Sequence, residues 1–427
     1  MNLLYHTAIA AYGGAVRIAA LCSRKPRLMA EGQRQTFDRL RHFRNTTVPD
    51  GFDVWFHAAS LGEFEQARPL IEALLEKAPE KKILVSFFSP SGYTVRENYD
   101  PRVAVVYLPM DTRRNAAEFI DLAQPKTVIF IKYEFWGNYL TELGRRGIPT
   151  YIISSIFRPG QIFFRPYGEM FRKMLRQFRH LYVQDSNSRE LLATIGLTNV
   201  TVAGDTRLDR VAAIRDKARD IPQIDVFKAA APDAFTLVAG SSWPKDEEIY
   251  FPWLHSHPEV RAIIAPHEFD SARLARMQRE LGPDSMLYSD FERLYDSSPE
   301  QAAETARRLK YLIIDCYGLL SSLYRYADAA YVGGGFGVGI HNINEAAVYG
   351  IPVVFGPKHG KFKEASDLIA AGGAFSISDA AEGDAILTRL LSEPSSRRRS
   401  GEAAGNYITS GLGATRLIMK DIFNIDI

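Results

Sequence analysis

At 427 residues, with 46% hydrophobic and 24% charged side chains, the chain is too long for one ordinary core and too apolar for a disordered one. A net charge of +2 excludes a strongly basic or acidic protein, and two distant cysteines, Cys22 and Cys316, argue for a reducing compartment without disulfide staples. The charge is uneven: about 30 basic against 21 acidic side chains fall in residues 1–215, leaving 22 against 29 for the rest.

Residues 2–22 are mostly apolar, interrupted by His6 and Arg17, and Arg24, Lys25 and Arg27 follow. The length is near the roughly 20 residues that cross a bilayer. No basic stretch precedes it, as a cleaved signal peptide requires, and basic residues after it place that side in the cytoplasm. Three readings are open: a membrane anchor, an interfacial helix, or an ordinary buried helix. Gly13-Gly14 and the alanines make a weak span, so residues 1–22 are set apart as anchor or interfacial helix. The segment precedes the first strand, so the cores should form without it.

A helical connector over about residues 29–43 leads into alternating strand-like and helix-like runs. Strands are expected at 53–56, 83–87, 103–108, 128–131, 151–154, 181–184 and 200–203, with amphipathic stretches between most of them, which reads as a doubly wound parallel sheet. The loop His57-Ala58-Ala59-Ser60-Leu61-Gly62-Glu63 ends the first strand, where open α/β sheets build their sites. Ser60 and Gly62 let backbone approach a ligand. Glu63 either complements the helix dipole or acts as a general base. Ser89, in the small-residue loop 86–92, Asp111 and Glu134 end the next strands and converge with Glu63 if the sheet is parallel. Residues 156–179 carry Arg158, Arg165, Arg172, Lys173, Arg176 and Arg179 among Phe157, Phe163, Phe164, Tyr167 and Phe171. They suit a membrane interface, a nucleic acid, or an amphipathic helix with core aromatics. The basic half meets an anionic surface, such as phospholipid headgroups or a phosphorylated glycolipid, or its imbalance is merely solvated.

Residues 207–233 are charged and carry Pro222 and Pro232, a helical linker. A second series follows at 236–239, 262–265, 286–288, 312–314, 330–332, 353–355 and 375–377. Two Rossmann-like domains facing a cleft describe the α/β GT-B architecture. The expected division is 23–210, a linker at 211–233, a second domain at 234–412, and a C-terminal helix at 413–427 that packs back on the first domain. The densest signal is Gly333-Gly334-Gly335-Phe336, then Gly337, Gly339, His341, Asn342 and Glu345. Glycines remove Cβ bulk, so N–H groups reach a phosphate at a helix start near Asn342, and Glu345 accepts from a ribose diol. The spacing is not G-x-G-x-x-G, so a nicotinamide dinucleotide fits poorly. The alternative is a tight strand-to-helix turn. Ser241 and Ser242 suit a phosphate or a sugar carboxylate. His267 either joins that site or packs at a helix start. No cluster has metal-ligand spacing, so neither metal nor other cofactor is expected.

The loop from His57 to Glu63 resembles the signature of the Kdo transferases of Gram-negative bacteria, with Leu61 for the usual valine. Residues 333–345 resemble that family's Gly-Gly-x-Phe...Gly-Gly-His-Asn-x-x-Glu-Pro, departing at Ile340, Asn344 and Ala346. Gly240-Ser241-Ser242 with Glu247 and Glu248 is similar to Gly-Ser-Thr...Glu-Glu. Pro266-His267-Glu268 is similar to a shortened Pro-Arg-His-Pro-Glu without its arginine. Gly204 to Asp209 is similar to Gly-Asn-x-Lys-x-Asp, with Arg207 for the lysine, and Glu134-Phe135-Trp136 to Glu-x-Trp-Pro-Asn, with Gly137 for the proline. The resemblance implies transfer of 3-deoxy-D-manno-octulosonic acid (Kdo) from CMP-Kdo to a lipid A precursor at the cytoplasmic face of the inner membrane. It implies Glu63 as catalytic base. For the nucleotide sugar it implies Arg207, Ser241, Ser242, His267, Gly334, Gly335, Phe336, His341, Asn342 and Glu345. On the acceptor side stand Ser60, Gly62, Ser89, Asp111 and Glu134. The partners are CMP-Kdo, the lipid A precursor and an anionic membrane surface, with no nucleic acid. The rivals are another nucleotide-sugar GT-B enzyme or epimerase, which would recognise uridine, and a membrane-associated nucleotide-binding module without turnover.

Overall fold

Runs such as Val54-Trp55-Phe56-His57-Ala58 are buried throughout, as parallel strands covered on both faces must be. The computed structural model describes residues 3–427. Strands β1 (Val54–Ala58), β2 (Ile83–Phe87), β3 (Val103–Tyr107), β4 (Thr127–Ile131), β5 (Thr150–Ser155), β6 (His180–Val183) and β7 (Val200–Val202) form a seven-stranded parallel sheet, in the order β3-β2-β1-β4-β5-β6-β7. Strands β8 (Thr236–Ser242), β9 (Arg261–Pro266), β10 (Ser285–Leu287), β11 (Tyr311–Ile313), β12 (Ala329–Val332), β13 (Val353–Phe355) and β14 (Ala374–Ser376) form a second, in the order β10-β11-β9-β8-β12-β13-β14. Every expected strand is present, with ends shifted by a few residues. Strand order reverses between β1 and β4 in one sheet and between β8 and β12 in the other. Ligands bind outside the carboxyl ends of such pairs.

Side chains of the first sheet alternate between two cores. Trp55, Leu84, Val128 and Phe130 fill one, and Val54, Phe56, Val85 and Ile129 the other. Helix Leu61–Lys77 covers the second with Phe64, Ala67, Leu70, Ile71 and Leu74, at helical spacing. A fully buried leucine, isoleucine or phenylalanine contributes about 1.5–3 kcal/mol, so this face fixes the turn that carries Glu63.

The chain forms two compact units. One runs to Asp209 and includes Leu412–Ile427, and the other is Arg210–Gly411. Helix Ala414–Phe423 belongs to the first because Ile418 and Met419 join its core. The Asp209 carboxylate accepts the Gly413 and Thr415 N–H groups at 2.6 Å each. The span between the sheets holds helices Thr206–Asp216 and Pro222–Ala229. In the second unit, buried Arg261 donates to the carbonyls of Phe227, Ala306 and Leu309, closing the ends of two helices, and its guanidinium lies 4.1 Å from the Phe227 ring centre.

Met1 and Asn2, part of the segment read as an anchor, lie outside the described residues. Helix Leu3–Cys22 buries none of its residues, which removes the ordinary buried helix. It nevertheless docks on the first unit. The Tyr5 hydroxyl donates to Asp111 and accepts the Gly137 N–H at 2.9 Å, and Tyr12 stacks on Phe88. Leu3, Leu4, Ile18 and Leu21 face outward. Among the described residues no helix is long and apolar enough to cross a membrane. That corrects the spanning reading: His6, Thr7, Gly13, Gly14 and Arg17 interrupt the apolar run.

Residues 156–179 take the third of their readings. Phe157, Phe163 and Phe178 lie in the core, Phe164 and Phe171 pack against it, and only Tyr167 of the aromatic set is exposed. Arg172 and Arg176 pair with Glu169 at 2.8 and 2.7 Å. The aromatics that suggested an interface are thus filling the end of the first sheet.

Candidate active site

Each reversal point carries a cluster of polar groups. After β1, Ser60 is extended and helix Leu61–Lys77 starts at the next residue, which puts Glu63 in the first turn. The Ser60 hydroxyl donates to Glu63 Oε2, so this serine orients the carboxylate. Glu63 is half-buried. The Tyr133 phenol, pushed up by burial, lies within electrostatic range of Arg158, Asp185 and Glu63. An added Cβ on exposed Gly62 would meet only Ser60 Oγ, at 3.8 Å, so glycine leaves space there rather than relieving a clash.

Glu134, after β4, is clamped. Trp136 Nε1 donates to its Oε2 at 2.6 Å, and His57 Nε2 lies 3.1 Å from the same oxygen. On the other side of the ring, His57 Nδ1 is 2.9 Å from Ser86 Oγ, which accepts Trp55 Nε1–H at 2.7 Å. With His57 protonated on Nε2, Trp55 donates to Ser86, Ser86 to His57, and both His57 and Trp136 to Glu134; with the proton on Nδ1, His57 donates to the Ser86 carbonyl at 3.1 Å and accepts from Trp136 at 3.1 Å. Glu63 and Glu134 therefore occupy neighbouring strand ends at the same reversal point.

Two of the acceptor-side residues have structural partners. Asp111 is fully buried and accepts from Asn138 N at 3.0 Å and Tyr139 N at 2.9 Å, which caps helix Gly137–Arg145, as well as from Tyr5. Burial raises its pKa against these donors. It shapes the loop after β4 and presents no free oxygen to a ligand. The Ser89 hydroxyl accepts the Ser91 N–H at 3.3 Å and caps helix Pro90–Arg96.

In the second unit the end of β8 and the loop after β12 are tied together by Asp246. This buried carboxylate accepts from Gly334 N at 2.8 Å, Trp243 N at 3.0 Å and the Tyr331 hydroxyl at 3.1 Å. A Cβ on Gly333 would lie 2.2 Å from the Ser241 carbonyl, and one on Gly335 would lie 2.6 Å from Gly356 backbone. The glycines are thus required by close backbone approach. Phe336 packs against the core. Past the glycines, Trp243 Nε1 donates to His341 Nε2 at 3.1 Å, and His267 stacks on both rings. Burial, with His267 beside it, lowers the His341 pKa to about 4, and burial also lowers His267. Both imidazoles are neutral at pH 7. Asn342 Nδ2 donates to Glu345 Oε1 at 3.0 Å.

Three features on the nucleotide side are described by the structure. The helix expected from Asn342 is a single turn, Asn344–Ala347, ended by the Gly350-Ile351-Pro352 break. Its dipole is short, and phosphate binding would fall to the loop N–H groups. Ser242 is buried, its hydroxyl 2.8 Å from Tyr250 Oη, and points inward while Ser241 stays at the strand end. Arg207 belongs to the first unit, and its guanidinium pairs with buried Asp205 at 2.6 Å. Burial opposes the Asp205 charge, but Arg207 wins and its pKa is lowered.

Backbone strain marks the same places. Lys132 (φ 63°), Ser154 (φ 54°) and Ser241 (φ 52°) are left-handed at the ends of β4, β5 and β8. Such residues cost about 1–3 kcal/mol and gather at functional sites. Sequence reasoning passed over His57 as a positioning group, Trp136, Tyr5 and Asp246. A histidine inside an apolar strand signals the first. Asp246 stands three residues after Trp243, the spacing of a helix cap, whereas the acids singled out were Glu247 and Glu248. Among the described residues no three His, Cys, Asp or Glu side chains group so as to hold a metal ion.

Residues 28–210 match the family model described as 3-Deoxy-D-manno-octulosonic-acid transferase (kdotransferase). Among curated relatives, a 3-deoxy-D-manno-octulosonic acid transferase of Bordetella pertussis is 27% identical over 91% of this chain and 91% of its own length. One from Haemophilus influenzae is 24% identical over 90% and 89%. Among solved structures, a putative UDP-N-acetylglucosamine 2-epimerase from Listeria monocytogenes aligns with a TM-score of 0.56 at 14% identity, over 88% of this chain and 98% of that one. MurG of Acinetobacter baumannii aligns with a TM-score of 0.54 at 13% identity, over 86% and 99%. At such identities the structures speak to fold alone, and that fold is GT-B.

Proposed function

We propose that the chain is a glycosyltransferase of the Kdo transferase family and moves Kdo from CMP-Kdo onto a lipid A precursor with Glu63 as general base. The acceptor hydroxyl oxygen attacks the anomeric carbon of Kdo. Its proton passes to Glu63, the bond from that carbon to the phosphate oxygen breaks, and CMP leaves with the electron pair. Base catalysis of this kind contributes about 10²–10⁴-fold. The observation that carries this reading is Glu63 itself: a half-buried carboxylate oriented by Ser60, at the carboxyl end of the strand where order reverses.

The remaining residues take supporting roles. Glu134, held by His57 and Trp136, orients the acceptor sugar through a hydroxyl. In the second unit the Gly335 N–H, in the loop that Asp246 holds through Gly334, meets the phosphate, and Glu345 takes the ribose diol. Neutral His341 and His267 present donors without adding charge. The outward apolar face of helix Leu3–Cys22 rests on the cytoplasmic leaflet, where the acceptor lies. The test is transfer by the purified chain from CMP-Kdo to lipid A precursor, counted by mass. Turnover of a uridine sugar instead would replace this reading with another GT-B activity.

A further inference from the structure

Helix Leu3–Cys22, helix Arg24–Thr46 and the loop after β3 enclose a cavity lined in part by Gly13, Val16, Arg17, Arg34, Phe37 and Met110. Its walls are mixed, with Val16, Phe37 and Met110 as the larger apolar side chains. Two amides on the lining, Gln33 and Asn115, already donate to the carbonyls of Leu108 and Met110 at 3.0 and 2.9 Å. That leaves Arg17 and Arg34 as the donors. Neither has an ion-pair or hydrogen-bond partner among the described residues. Two further arginines of helix Arg24–Thr46, Arg39 and Arg41, are in ion pairs. The helix that supplies Gly13, Val16 and Arg17 to the lining also carries an outward apolar face, where Leu3 is 83% and Leu21 76% exposed.

We propose that this cavity binds the phosphodiester headgroup of an anionic glycerophospholipid. Arg17 and Arg34 meet the phosphate. The glycerol and first acyl carbons cover Val16, Phe37 and Met110, and the chains continue along Leu3, Leu4, Ile18 and Leu21 into the leaflet. A free phosphate would pair the arginines but leave these apolar walls against water. The site rests on the reading of this chain as an enzyme that works at a membrane surface. It adds a defined lipid contact, separate from Glu63 and the acceptor.

The test is flotation of the full chain with phosphatidylcholine vesicles, with and without phosphatidylglycerol, across a salt series. Four proteins are compared: wild type, Arg17→Gln with Arg34→Gln, Arg24→Gln with Lys25→Gln, and Gly13→Leu. Arg24 and Lys25 are exposed and outside the cavity. A Cβ at Gly13 would meet only Met110 Cγ at 3.8 Å, so leucine is tolerated there and fills the cavity without changing charge. Diffuse attraction is worth about 1 kcal/mol, or roughly fivefold, per basic residue, and screening shrinks to about 3 Å at 1 M salt. At high salt, wild type and the Arg24/Lys25 variant should keep a preference for phosphatidylglycerol, and the other two should lose it about tenfold or more. Glycerol phosphate in solution should not release wild type. Binding by Gly13→Leu equal to wild type, or equal losses in the two arginine variants, would overturn the site. Release by glycerol phosphate would overturn the lipid assignment. Wild type that floats with no vesicle would defeat the membrane reading as well, while Kdo transfer to dispersed acceptor is measured independently.

Discussion

Replacing Asp246 with asparagine isolates the contact that holds the glycine loop. The native carboxylate is 1% exposed and accepts two backbone N–H groups, from Gly334 and Trp243, and one phenol. An asparagine of the same size keeps its oxygen on the two backbone N–H groups, which share Oδ2, and turns its NH2 to the Tyr331 hydroxyl, which then accepts. Both backbone bonds then go to a neutral oxygen instead of a charged one, a loss of about 1.5–3 kcal/mol together. The Gly333 N–H still reaches the Gly240 carbonyl at 2.9 Å, so the strand end survives and the weakening falls on Gly334 and Trp243. CMP affinity should therefore drop about tenfold to a hundredfold, by calorimetry. The melting temperature of the second unit should fall by roughly 3–10 °C, since 1 kcal/mol shifts a unit of this size by about 2–4 °C. Unchanged CMP affinity in folded Asp246→Asn protein would refute the idea that this carboxylate sets the loop.

Tyr5→Phe should raise the KM for acceptor and leave CMP affinity unchanged, because it leaves the Gly137 N–H unpaired at a cost of about 1–3 kcal/mol; steady-state kinetics in both substrates checks this. His341 should make the second unit acid-sensitive. Its folded pKa, about 4, lies below the unfolded value near 6.5, so the unfolded chain binds the extra proton. Stability is full above about pH 6.5, falls as pH drops toward 4, and His341→Gln should flatten that slope in a melting series. Arg261→Met should lower second-unit stability by about 2–4 kcal/mol by denaturant titration, because the carbonyls of Phe227, Ala306 and Leu309 lose their donor.

The strands were legible in the sequence because parallel strands write themselves as short apolar runs, whereas their order, and with it the two reversal points, was not. The glycines at 333–335 were legible for the same kind of reason: close backbone approach leaves no other residue. What the linear pattern hid is where polar groups turn after the strand ends. Ser242 alternates inward within a strand that extends two residues past its apolar run. Asp111 looks like any strand-end acid until helix Gly137–Arg145 brings two N–H groups onto it. The aromatics of residues 156–179 sit among six cations in sequence, yet most are core. The first helix shows its apolar content but not that Tyr5 reaches Asp111 across 106 residues of chain.

The central claim, that Glu63 removes the acceptor proton, is tested most directly by Glu63→Gln. The amide preserves size and the Ser60 contact but takes no proton. The account predicts unchanged CMP affinity, an unchanged melting temperature, and Kdo transfer to lipid A precursor reduced by about 10²–10⁴-fold in a mass-based assay. Transfer at near wild-type rate by the folded variant would contradict it.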